Sequence, residues 1–98
     1  MAVRMLELAK ELTGKRRVED ALATVIKGFI EARISELERK IEFFESKYGM
    51  GIKEFYEKLG SEFPLSWEHE SDYMDWDLAI AELEDLKEKL KLLEKHEG

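Results

Sequence analysis

The stretch 18–48, VEDALATVIKGFIEARISELERKIEFFESKY, decides the fold. Its only glycine is Gly28 and it has no proline, so no residue in it forbids a continuous helix. Val18, Leu22, Val25 and Phe29 follow one another at intervals of 4, 3 and 4, and Ile30, Ile34, Leu37, Ile41, Phe44 and Tyr48 at 4, 3, 4, 3 and 4. Both series match an α-helix and neither matches the two-residue period of a strand. The second has the near-3.5 spacing of a coiled-coil seam, while Glu36, Glu38, Arg39, Lys40, Glu42 and Glu45 keep the remaining faces wet. Two apolar seams on one rod of about 45 Å predict two neighbours.

Outward from this rod, Gly49 and Gly51 bracket Met50 and end it. A short amphipathic helix is expected over 52–59, with Ile52, Phe55, Tyr56 and Leu59 on its apolar side and Gly60 and Ser61 stopping it. Gly51 stands where a capping serine is expected, which leaves the start of this helix open. The loop 61–70 holds Phe63, Pro64, Leu65 and Trp67, too apolar for a mere linker. A second long helix is expected over 71–95, with Ser71 as N-cap and Asp72 and Asp75 in the first turn, where the dipole favours negative charge. Trp76, Ala79, Leu83, Leu86, Leu90 and Leu93 run at 3, 4, 3, 4 and 3, and lysines 87, 89, 91 and 95 gather at the C-terminal end. Upstream, 1–12 reads as a short helix closed by Thr13 and Gly14.

The expected architecture is therefore one all-α domain over 1–98. It is an antiparallel hairpin of two long helices, with short N-terminal and connecting helices. Antiparallel pairing puts Phe44 and Tyr48 near Tyr73 and Trp76, and Leu22 to Phe29 near Leu90 and Leu93. A hairpin covers one side of each rod, so the Val18 to Phe29 seam asks for a further cover, and a homodimer forming a helical bundle is the simplest one.

Composition narrows the function. Charged residues make up 40% of the chain and cysteine, asparagine and glutamine are absent, a balance that suggests a thermophilic source. Without cysteine there is no disulfide and no thiolate chemistry. The apolar runs are too short and too interrupted by charge for a signal peptide or a membrane span, so a cytoplasmic protein is expected. The net charge of −7 is uneven: 1–49 hold 10 Lys/Arg against 9 Asp/Glu, and 50–98 hold 6 against 14. From Leu59 to Leu86 there are nine acids and no lysine or arginine, a segment that repels nucleic acid and attracts basic surfaces.

Few residues suggest chemistry. His69, between Glu68 and Glu70 and ahead of Asp72, Asp75 and Asp77, has the ligand types of a metal site, but the Glu-x-x-His pair of di-iron bundles is missing. The solvated acidic start of a helix accounts for the same residues. Glu42 with Glu45, and Asp72 with Asp75, form i, i+3 pairs near the same end of the hairpin. In this they resemble the all-α nucleotide pyrophosphohydrolases, a likeness implying magnesium on facing acidic pairs, although that family's fuller acidic motif on its first helix is absent. No Ser/His/acid set and no phosphate-cradling glycine loop is present, so no catalytic residue, metal or cofactor is assigned. Lys15, Arg16 and Arg17 form a compact basic turn. The segment LAKELTGKRRVEDAL at 8–22 resembles the helix-turn-helix portion of ribbon-helix-helix repressors without their preceding strand, which leaves contact with DNA open beside pairing to the chain's own glutamates.

The stretch 45–85, ESKYGMGIKEFYEKLGSEFPLSWEHESDYMDWDLAIAELED, carries KYGM at 47–50, EFYEKL at 54–59 and DYMDWD at 72–77. It resembles a group of small archaeal and bacterial helical proteins described as antitoxins of toxin-antitoxin pairs. That resemblance implies a non-enzymatic protein that binds a small basic toxin. Read on the residues, Glu68, Glu70, Asp72, Asp75 and Asp77 would supply charge, and Phe55, Tyr56, Phe63 and Trp67 apolar contact. The alternatives are the magnesium-dependent hydrolase, using Glu42, Glu45, Asp72 and Asp75, and a purely structural dimerisation protein. For Tyr73 and Trp76, and for Phe63 and Trp67, filling of the core competes with binding.

Overall fold

In a computed structural model that describes Met5, Glu7 and residues 18–97, the described chain is helical with no strand beyond one isolated bridge, Leu59 to Phe63. Three helices are named here: α1, Val18–Tyr48; α2, Ile52–Lys58; and α3, Trp67–Glu97. The expected helix over 1–12 and the basic turn Lys15, Arg16 and Arg17 lie outside the described residues, apart from Met5 and Glu7.

The two long helices lie side by side and antiparallel. Arg33 reaches Glu82, while Lys47, farther along α1, reaches Asp72, nearer the start of α3. Ile30, Ile34, Leu37 and Phe44 of the second α1 seam are buried, as are Trp76 and Ala79 of α3, with Phe44 packed on Trp76. The sequence period and the buried face thus coincide. Arg33 grips Glu82 with both Nε and an amino nitrogen, at 2.7 and 2.9 Å. Both groups stay exposed, so this fork fixes the relative register of the rods more than it stabilises them.

Gly49 ends α1 in the left-handed region at φ 69°, its N–H donating to the Glu45 carbonyl at 2.7 Å. That is the single-bond αL cap, and it frees the chain to turn back. Gly51, with φ −80° and ψ 168°, leads into α2 without a side-chain cap, and its carbonyl accepts the Phe55 N–H. The question left open at Gly51 is thereby answered: the helix starts at Ile52. It ends at Lys58, one residue before the expected boundary, because Leu59 turns extended and pairs with Phe63.

The second long helix begins four residues earlier than the sequence pattern suggests, at Trp67 and not Ser71. Ser66 is the cap: its Oγ accepts the His69 N–H at 3.1 Å and its carbonyl accepts the Glu70 N–H at 3.0 Å. Glu68 and Glu70, not Asp72 and Asp75, therefore occupy the first turn. The C-terminal end lies at Glu97, two residues beyond the expected Lys95.

The Cα radius of gyration is 19.6 Å, well above the value of about 13 Å typical of a compact domain of this length. Among the described residues so slender a body leaves much apolar surface exposed, and where it lies determines what the protein can do.

Candidate protein-docking end

Rings from all three helices and the loop before α3 gather where the hairpin turns. Phe44 stacks on Trp76 at 5.6 Å between centroids, and Tyr48 packs on Phe55 at 4.1 Å. Phe63 meets Tyr48 and Phe55 at 5.4 and 5.2 Å. Trp76 is 1% exposed and Phe55 is wholly covered. Phe55 therefore cannot offer the apolar contact expected of it: it is the peg that holds α2 across the end of the hairpin. Phe63, half-buried against the same cluster, serves mainly the core. Tyr73 and Trp76 fall on the core side of the two readings left open for them.

One side of this end is closed by a charged network. The Lys47 ammonium donates to Asp72 at 2.6 Å and to Glu68 at 2.9 Å, and the Tyr48 hydroxyl donates to the same Asp72 carboxylate. Burial by itself would raise the Asp72 carboxyl, but the bonds from Lys47 and Tyr48 outweigh it and hold the group below the usual carboxylate range. Tyr48 is pushed up to about 12, first by burial and then by its bond to Asp72. Lys47 is raised in turn by Asp72 and Glu68. His69 Nδ1–H donates to the Pro64 carbonyl at 2.6 Å while the ring edge packs on Phe63, which ties the loop to the first turn of α3.

The nine residues proposed from sequence as a partner surface are thus divided by the fold. Asp72 and Glu68 are engaged by Lys47. At about 100° per residue, Asp75 falls on that same flank of α3. Glu70 and Asp77, seven residues apart, lie on the opposite flank, and Glu84 continues their line. Among the described residues Glu70, Asp75 and Asp77 are exposed and form no ion pair.

Beside Glu70 an open groove of about 560 Å³ runs between α2 and α3, lined by Tyr56, Glu57, Leu59, Leu65, Glu70, Tyr73 and Met74. Tyr56 leans on Tyr73 at 5.2 Å yet remains exposed, as do Leu65 and Met74. Trp67, 87% exposed, stands at the start of α3 and, by helical spacing, on the Met74 side. Leu65 belongs to the loop marked from sequence as too apolar for a linker, whereas Met74 and Glu57 were not singled out. Met74 carries a detectable signal, since Trp67, Met74 and Leu78 recur at 7 and 4 on the face of α3 opposite Trp76.

The acidic quartet Glu42, Glu45, Asp72 and Asp75 does not form a metal cradle. Lys47 already neutralises Asp72, and among the described residues no three His, Cys, Asp or Glu side chains come together with the geometry to hold an ion. No described helix is long and apolar enough to cross a membrane.

Compared with known proteins, the chain matches no family model, and neither a curated protein nor a solved structure is detectably similar to it.

Proposed function

We propose that this chain is a non-enzymatic protein-binding module, acting as a homo-oligomer, and that the groove between α2 and α3 receives a small basic protein. The observation that carries this reading is a juxtaposition. An exposed apolar floor of Tyr56, Leu65 and Met74 is rimmed by Glu57 and Glu70, and Leu59, Leu65, Glu70, Tyr73 and Met74 of its lining belong to a segment, 59–86, that has nine acids and no basic residue. An apolar centre inside a ring of one charge suits a partner with an amphipathic, basic surface, the rings supplying affinity and the carboxylates orientation and rate.

The partner we favour is a small basic toxin, with this chain as its antitoxin. Charge complementarity and the likeness of 45–85 to such proteins both support it. In that role Glu70 and Asp77 face the partner, Trp67 and Tyr56 anchor it, and Glu68 and Asp72 act indirectly by holding α1 to α3 through Lys47.

The experiment is co-expression with the product of the adjoining reading frame. A complex that survives purification, and is lost in the double variant Glu70→Lys, Asp77→Lys while helix content is unchanged, is the expected result. An adjoining product that is not basic, or that never co-purifies, would contradict the proposal.

A further inference from the structure

The far end of the hairpin has a different character. Phe29 is 78% and Val25 70% exposed, with Leu22 and Ile26 also open, and at about 100° per residue the four occupy one third of the α1 circumference. Next to them an almost wholly apolar groove of about 290 Å³ lies between Ile26 and Ile30 of α1 and Leu92 and Leu93 of α3. A second groove, lined by Phe29, Ile30 and Leu86 among others, continues it along the hairpin through the shared Ile30. Residues of this kind in a row exceed the scattered single hydrophobes normal on a surface.

We propose that this face is where a second copy of the chain docks, the two α1 helices crossing antiparallel about a two-fold axis between Val25 and Ile26. Such an axis sets Leu22 of one copy opposite Phe29 of the other, and brings each Phe29 ring to the apolar groove beside Ile26 and Leu92. The contact is self-complementary, as a closed dimer requires.

Charge identifies the occupant. Residues 18–33 carry three acids and two bases and residues 85–95 three acids and four bases, so the described residues of this end are neutral in sum. Residues 59–84 carry eight acids and no base. Two copies of an acidic protein repel one another at the groove end and do not repel here, whereas a strongly basic partner gains nothing at a neutral face. Area agrees. Leu22, Val25, Ile26, Phe29 and Leu92 expose on the order of 500 Å² of side chain per copy, at roughly 170 Å² for a large apolar side chain. A pair then buries about 1,000 Å² before any rim is added, the threshold of a specific interface. This inference rests on the homo-oligomer reading and is independent of who the basic partner is.

Sedimentation equilibrium tests it. The expected mass is twice the 11.5 kDa monomer at tens of micromolar, and Phe29→Lys should weaken dimerisation at least ~10-fold with the helical circular dichroism retained, since the ring is exposed in the single chain. Because the chain has no cysteine, single-cysteine variants give a second readout that does not depend on Phe29→Lys folding. Val25→Cys should oxidise to a disulfide-linked dimer, and Leu78→Cys should not. A monomeric wild type would overturn both the dimer and the homo-oligomer reading. A dimer that persists in Phe29→Lys, or that links through Leu78→Cys and not Val25→Cys, would overturn this face alone.

Discussion

The Phe44 ring lies stacked on the Trp76 indole, centroids 5.6 Å apart and planes 19° from parallel, and this pair joins the two long helices at the end where α2 folds over them. Trp76 touches Tyr48 and Phe55 as well, so one side chain links all three helices. Replacing it with alanine should cost about 3–5 kcal/mol, the usual penalty for emptying a large aromatic site. Urea unfolding at neutral pH measures this. A loss under about 1 kcal/mol would show that the ring cluster is not the principal core.

The Lys47–Asp72–Tyr48 network predicts a pH dependence with two limbs. Asp72 has its folded pKa depressed, so its contribution is present above the unfolded value of about 4 and is lost as pH falls through the lower folded one. Tyr48 is raised to about 12, so its contribution is complete below about pH 10 and is lost as pH rises from there to 12. Lys47, also raised, changes stability in the same direction on the alkaline side. Urea midpoints should therefore fall at both extremes; Tyr48→Phe should flatten the alkaline limb and Asp72→Asn the acid one. An ultraviolet titration gives a separate check, since Tyr48→Phe should remove the phenol that ionises near pH 12.

Two local features fix the ends of the long helices. Gly49 at φ 69° has no heavy atom within 4 Å of where a Cβ would stand, so Gly49→Ala should lose about 1 kcal/mol through backbone strain alone. Ser66→Ala should lose about 1 kcal/mol by freeing the His69 N–H, and should loosen the turn that carries Trp67 and Glu68. Thermal melts of the two single variants test both. Changes within error of zero would show that these caps do not set the helix ends.

The hairpin was legible because its buried residues are those with the strongest period. Ile30, Ile34, Leu37 and Phe44 of α1, with Trp76 and Ala79 of α3, are both members of the heptad series and the buried residues of the two long helices. The start of α3 was not legible. Trp67 faces water and adds nothing to an inward period, and Ser66 is followed at its third helical position by His69, not the Glu or Gln of a capping box, so Ser71 before an acidic turn looked the better cap. The docking end was legible only in part. Composition marks it as acidic and aromatic, but which rings are hidden and which acids are already held depends on contacts such as Lys47 with Asp72, 25 residues apart, that no local pattern encodes.

The loop before α3 gives a further expectation. Leu65 lines the groove and Trp67 stands beside it, both exposed and neither part of the buried cluster. Trp67→Ala and Leu65→Ser should therefore leave folding stability within about 0.5 kcal/mol of wild type while weakening capture of the basic partner roughly 10-fold or more. Stability lost together with binding would place these side chains in the core instead.

The account's central claim is that an acidic, aromatic-floored groove binds a basic protein. Calorimetric titration of the chain with the product of the adjoining reading frame, repeated at low and high salt, tests this most directly. Saturable binding that weakens as salt rises, and that falls sharply in Glu70→Lys, Asp77→Lys, is the predicted result. Absence of binding at low salt, or magnesium-dependent release of product from a nucleotide that Glu45→Ala abolishes, would contradict it.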